Sequence, residues 1–392
     1  MKINRIFSLP VVMAFFVWIG GLSLGTHLSQ YRKLWNDEIY SQTYSIEPLS
    51  YKKILLGHVP EGNNCPMFYV LQKALCDITQ YRFPGPWSGQ WYVYEPESQI
   101  VLRIVSNIFM STSIALIFYF FVRFYSIHCG LFALLATFAT PMVWLYWVEA
   151  RPYGLLFLLT TLQSLIFMLI MRGKKNFDKE WLWLALTHIA LSLTISLGVI
   201  QFLITSTLLW IFKERRPYRY LFMTVIPLIL SVAYYVRSPK YQFRFRESPW
   251  ELMVENVPRE YFVILLAYLA VACYFMIFAR GKKGPTMDVG SVQYFLFSGL
   301  MFLGASCVLC LLNWKADDVS DSFAVSSRYF IFLVPVSIIA GTIGVRELWR
   351  VFKDDVWMRA NVAIAILGLM MLSACKTQIA VLNSGIFMHF IR

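Results

Sequence analysis

Two carboxylates stand side by side in "KLWNDEIYSQ" (33–42), directly after a long apolar stretch. Asp37 and Glu38 occupy the point where the chain leaves that stretch. Charge close to a hydrocarbon boundary is costly unless it is solvated or paired. Trp35 just before and Tyr40 just after are residue types suited to a membrane–water interface. Adjacent residues share no face on a helix or a strand, which argues against a proton-sharing dyad. One carboxylate acting as a base while the other orients a partner is the chemistry this pair could do. The plainer alternative is two hydrated side chains at a helix exit.

A second polar cluster lies in "WVEARPYGLLFLL" (147–159), where Glu149 and Arg151 sit in a short turn between two apolar runs. Pro152 suits a helix start, where its missing N–H costs nothing, and Tyr153 follows it. The turn reads either as an interfacial ion pair or as a guanidinium placed to grip a phosphate with two parallel hydrogen bonds. In "SSRYFIFLVP" (326–335), Arg328 with Tyr329 opens another apolar run. It reads as an arginine snorkelling to the interface or as a second phosphate ligand. "GNNCPMFYVLQKAL" (62–75) contains an amphipathic stretch after Pro66, with Phe68, Leu71 and Leu75 spaced as on one helical face. Such a helix would lie on a membrane surface more readily than cross it. His58 reads as a solvated loop side chain. No P-loop, GxGxxG, HExxH or GxSxG pattern occurs, and no His/Cys/carboxylate group has metal-ligand spacing. Cys307 and Cys310 form a CxxC inside an apolar run. Cys65 and Cys76 share one loop, and their pairing is open.

The elements that must position these residues follow from composition. Of 392 residues, 58% are hydrophobic and only 15% charged, against about 25% charged in soluble domains. The chain therefore reads as a polytopic, all-α membrane protein. Its basic balance, 35 Lys+Arg against 22 Asp+Glu, is ascribed to loop asymmetry and anionic lipid, not to nucleic acid. Apolar runs near 9–29, 101–122, 129–147, 153–171, 181–197, 199–212, 219–236, 262–279, 291–313, 329–345 and 360–378 predict about eleven spans. As one helix, 181–212 would be roughly 48 Å long, too long for a core of about 30 Å, so it is divided near Gly198. With the N-terminus in the cytoplasm, "RGKK" (172–175), "KERRPYR" (213–219), "ARGKK" (279–283) and "RELWRVFK" (346–353) fall inside. The long loop 30–100, the turn 148–153 and the segments 237–260 and 315–329 then share the outer face. The expected organisation is one transmembrane domain, 1–392, with an uncleaved first span and an elaborated outer loop.

This arrangement resembles the GT-C superfamily of membrane glycosyltransferases. The likeness is to the branch of protein O-mannosyltransferases, the lipid A aminoarabinose transferase and Rgt-type sugar transferases. "NDEIY" is similar to the family's acidic motif opening a long outer loop. "NNCPMFYVL" stands where the family usually has His-Pro-Pro before a surface helix. "SQIVLRIVSNIF" (98–109) resembles the start of its second span, "EARPYGLLFLL" its second-loop motif and "SRYFIFLVP" its late arginine span.

The resemblance implies an inverting transferase using a sugar carried on a polyprenyl phosphate or pyrophosphate. Asp37 would be the catalytic base, with Glu38 in a supporting catalytic role. Arg151 and Arg328 would bind the donor phosphate, supported by Glu149, Tyr153 and Tyr329. The scheme requires no cofactor; a divalent metal stays open. The acceptor (protein, lipid or glycan) is not legible. The resemblance also places the site on the outer face of a bacterial plasma or inner membrane. Two competing readings are a lipid-linked sugar flippase or transporter, which should carry polar residues along a path through its spans, and a non-catalytic membrane partner. Mostly apolar spans and an intact Asp37 rank both lower.

Overall fold

The computed structural model describes residues 9–61, 65–83, 92–93, 96–173, 178–213, 216–237, 242–244, 289–314, 322–324 and 327–351. Spans expected at 262–279 and 360–378 lie outside the described residues. Within them the chain is a helical bundle, and five helices are long and apolar enough to cross a membrane, or six if one bent pair counts as a span. The protein is thus an integral membrane protein. The full count of eleven spans is not reached among the described residues.

Helix α1 (Leu9–Tyr31) packs along α5 (Pro96–Phe124). Glycines permit the approach: a Cβ on Gly25 would stand 2.6 Å from Nε1 of Trp147, and one on Gly21 would stand 3.2 Å from Oγ of Ser111. Polar side chains then bridge the pair. Asn107 donates to Oγ of Ser29 at 3.1 Å, and Trp18 donates to Oγ1 of Thr112 at 3.1 Å. Small residues with interhelical hydrogen bonds hold helices together where no hydrophobic force can. Helix α5 continues onto α8 (Tyr153–Arg172), where Gly154 lies against the backbone of Ser106.

The run expected at 129–147 is not one straight helix. It is α6 (Ile127–Phe138) and α7 (Pro141–Trp147), bent by 70°. Pro141 cannot donate to the helical ladder, and it pushes Thr140 into an extended conformation. The bend delivers the turn 148–152 under the acidic motif. The division of 181–212 is observed: α9 (Asp178–Ser192) and α10 (Gly198–Phe212) are joined by a five-residue turn. Next come α11 (Pro217–Tyr220), a π-helical turn (Leu221–Val225) and α12 (Ile226–Arg237), a 21-residue span when taken together. Two more long helices, α13 (Val289–Trp314) and α14 (Leu333–Val351), pack on α8.

The loop segments expected on a common face do meet at one end of the bundle. Cys65 N–H donates to the carbonyl of Thr194 in the α9–α10 turn at 3.1 Å. Arg237 and Tyr234 at the end of α12 donate to the carbonyls of Leu56 and Leu55, just after α3 (Tyr51–Leu55). Strand β1 (Leu34–Trp35) pairs antiparallel with β2 (Tyr92–Val93), and β3 (Gln242–Arg244) pairs parallel with β4 (Ser322–Ala324). The opposite end gathers basic side chains. Arg172 and Arg346 each sit 4.5 Å from the centre of the Tyr125 ring, and Lys213 donates to the Gly173 carbonyl at 3.2 Å.

Helix α4 (Pro66–Ile78) forms where the surface helix was expected, but with a different buried face. Phe68, Tyr69, Gln72 and Cys76 are buried, while Leu71 and Leu75 are only half-buried. Burial here is set by packing against α5 and the π-helical turn Ser41–Ile46, and Gln42 from that turn donates to Sγ of Cys76. Cys65 and Cys76 are free thiols. Ten residues of helix separate them by about 15 Å or more, beyond the reach of a disulfide.

Candidate functional site

The acidic motif forms a short helix, α2 (Asn36–Tyr40), continued by the π-helical turn Ser41–Ile46. Glu38 closes the start of α2 by accepting from the Trp35 N–H at 3.2 Å. Its carboxylate then turns inward, where Arg103 of α5 grips it bidentately, Nε to Oε1 at 2.8 Å and Nη2 to Oε2 at 2.7 Å. The Ala150 N–H adds a third donor at 2.7 Å. Arg103 uses its other N–H groups on the carbonyls of Ser29, Arg32 and Lys33, which the end of α1 leaves without helical partners. Burial raises the Glu38 pKa, but the Arg103 charge and hydrogen bonds, with Arg32 and the Ala150 N–H, outweigh it and hold the carboxyl below its ordinary range. Glu38 therefore ties α1, α5 and the turn 148–152 to the motif.

Asp37, one residue earlier, points elsewhere. Its side chain keeps 26% of its surface exposed and lies with Oδ2 3.9 Å from Nη2 of Arg151. Arg151 is buried. Its Nη1 donates to Oγ of Ser41, to the carbonyl of Asp37 at 3.3 Å, and to Glu61, with which it forms a close ion pair. Ser41 in turn donates to the Asp37 carbonyl at 2.8 Å, and Ser45 donates to the other oxygen of Glu61 at 3.3 Å. Burial works against the Arg151 charge, but Glu61 foremost, with Tyr69, Tyr153 and Asp37 beside it, raises its pKa well above the usual value. Arg151 stays charged at any relevant pH.

The remaining residues singled out by sequence fall around this core. Glu149 is buried with Arg32 3.9 Å away. The tight turn is closed by the Arg151 N–H donating to the Glu149 carbonyl at 2.8 Å. Tyr153 is buried, with ring centres 5.1 Å from Tyr146 and 6.4 Å from Tyr329. Tyr329 therefore reaches the site from a 3₁₀ turn (Ser327–Phe330) preceding α14. Arg328 belongs to that turn, and its side chain lies outside the described residues. His58 is exposed. Among the described residues no group of three or more His, Cys, Asp or Glu is placed to hold a metal ion.

Sequence reasoning missed Arg103 and Glu61. Arg103 had a signal: an ionisable residue inside an apolar run marks a partner to be found. Glu61, in a loop between α3 and α4, had none.

No family model matches the sequence, and no curated protein matches it. Among solved structures, ArnT from Cupriavidus metallidurans bound to undecaprenyl phosphate superposes with a TM-score of 0.51 at 11% identity. The match covers 96% of this chain and 75% of that one. The fold is similar to that of ArnT. The same protein in its apo state gives a TM-score of 0.48 at 12% identity. The first of these likenesses carries the comparison. At this identity it is a likeness of fold, spread over nearly the whole chain.

Proposed function

We propose that this protein is an inverting glycosyltransferase. It moves a sugar from a polyprenyl-phosphate donor to an acceptor hydroxyl at the outer face of the membrane, in bacteria the inner or plasma membrane. The observation carrying the reading is Asp37, partly exposed and 3.9 Å from the buried Arg151. The ArnT-like fold adds support, since that neighbour holds undecaprenyl phosphate.

In the reaction, the acceptor oxygen attacks the anomeric carbon and its proton passes to the Asp37 carboxylate. The bond from that carbon to the phosphate oxygen breaks on the opposite face, inverting the centre. Its electron pair stays with the polyprenyl phosphate. Negative charge grows on the leaving group, so a fixed cation there favours the transition state over the ground state. Arg151 serves this role, with Arg328 as the second cation. Glu38 is a positioning residue: fixed by Arg103, it holds the motif and the Arg151 turn in register. Glu149, Tyr153 and Tyr329 line the same region, and the chemistry asks for no cofactor.

The test is turnover. Purified protein is incubated with a panel of polyprenyl-phosphate sugars and an envelope extract as acceptor source. Consumption of one donor with release of polyprenyl phosphate, abolished by Asp37→Asn, is expected. Intact donors across the panel would overturn the proposal.

A further inference from the structure

Arg151 carries five N–H donors, and their use is uneven. Nη1 is saturated: Ser41, the Asp37 carbonyl and Glu61 all accept from it. Nη2 has Asp37 only at 3.9 Å, outside hydrogen-bond range. Nε is buried and makes no hydrogen bond. A buried guanidinium N–H without an acceptor keeps the full penalty of its desolvation. The unused pair, Nε and Nη2, is one of the edges with which arginine binds a phosphate bidentately. The nitrogen facing away from that edge is the one held most tightly.

We propose that Glu61 is a positioning residue that presets this fork. One carboxylate oxygen grips Nη1, while the other is fixed by the Ser45 hydroxyl at 3.3 Å. The guanidinium cannot swing round to close its Nε–Nη2 edge on Asp37, and that edge stays open for an anionic group of phosphate geometry. Both Glu61 and Arg151 are more than nine-tenths buried, so the arrangement is built into the interior of the loop cluster. Glu61 touches neither donor nor acceptor in this scheme. The inference rests on the donor reading above and adds what aims the arginine.

The experiment measures binding of undecaprenyl phosphate and of undecaprenol, the same lipid without phosphate, to the full chain in detergent. Native mass spectrometry reads the two affinities. In the wild type the phosphate lipid should bind more tightly. Glu61→Ala should weaken undecaprenyl phosphate binding on the order of tenfold, the loss of one well-placed charged contact, and leave undecaprenol unchanged. Glu61→Gln keeps an oxygen for Nη1 and should lose less. Lysine has no fork to preset, so Glu61→Ala should add nothing in an Arg151→Lys background; a purely structural role would weaken binding in both backgrounds. If Glu61→Ala does not fold, Ser45→Ala carries the test by freeing one oxygen of Glu61, and unchanged phosphate binding overturns the proposal. Unchanged or tighter binding in Glu61→Ala overturns it as well, tighter binding making Glu61 a competitor. Equal wild-type affinity for the two lipids removes the phosphate reading itself, and the role of Glu61 with it.

Discussion

At the scale of residues, two adjacent carboxylates have opposite fates. Asp37 is partly exposed and loosely paired, whereas Glu38 is fully buried and accepts four N–H hydrogen bonds, two from Arg103 and one each from Ala150 and Trp35, within the field of Arg32. Their substitutions should separate accordingly. Asp37→Asn should leave the unfolding temperature nearly unchanged and cut transfer by about 10²–10⁴-fold, the usual contribution of a general base. Glu38→Gln strips a buried arginine of its counter-ion and should destabilise by about 3–5 kcal/mol. Thermal unfolding in detergent, run beside the transfer assay, distinguishes the two. The same contrast has a pH signature. Glu38 titrates below its ordinary range when folded, so the folded form binds fewer protons there than the unfolded chain. Its contribution is complete above the ordinary carboxylate range and is lost as pH falls through the depressed value. The stability gap between wild type and Glu38→Gln should therefore close on acidification; a gap constant down to strongly acid pH would show that Glu38 is not the ionised partner of Arg103.

At the scale of elements, what matters is how closely helices approach. Gly25 lets α1 lie against Trp147 and Asn107, and the chain runs from the end of α1 through β1 into the acidic motif on α2. A methyl group at Gly25 would meet the rigid Trp147 indole at 2.6 Å. Gly25→Ala should cost about 1–3 kcal/mol through overpacking, whereas Gly20→Ala, with nothing within 4 Å of its Cβ position, should be neutral or slightly stabilising. Unfolding temperatures of the two variants give the comparison, and equal values would place the α1–α5 seam elsewhere. Helix α4 shows a second element-level effect. The apolar spacing of Phe68, Leu71 and Leu75 marked a helix correctly but not its inner face. Cys76 lies inward where Gln42 of the π-helical turn donates to its Sγ, and Gln72 is buried on the same face with no hydrogen-bond partner among the described residues.

At the scale of the whole molecule, charge sorts the two ends. One end collects the acidic motif, the Arg151 turn, the α9–α10 turn and the end of α12. The other holds Arg172, Lys213, Arg346 and Arg350. On the proposed function, which puts the site on the outer face, the second end faces the cytoplasm, in keeping with the positive-inside bias. Single cysteines at the exposed positions Lys53 and Arg237 should then react with an impermeant thiol reagent added outside intact cells, and cysteines at Lys179 and Arg216 should not. Labelling of the second pair from outside would invert the topology and put the site in the cytoplasm.

The sequence by itself determined the solvent and the class of structure. A chain this apolar must satisfy its backbone internally, which in lipid means helices or a closed barrel. Run lengths set against the bilayer core then gave most helix positions, including the division of 181–212. The acidic motif and the arginine turn were legible because charges are rare beside apolar runs. Only the tertiary structure decided which carboxylate is buried and which faces Arg151. Glu38 meets Arg103 across 65 residues and Ala150 across 112, and Arg151 meets Glu61 across 90. Local periodicity carries no information over such separations, since it reports which way a side chain points on its own helix and not what another helix brings opposite it. The bend at Pro141 and the close approach at Gly25 bring these partners together, and with them the difference in chemistry between two neighbouring acids.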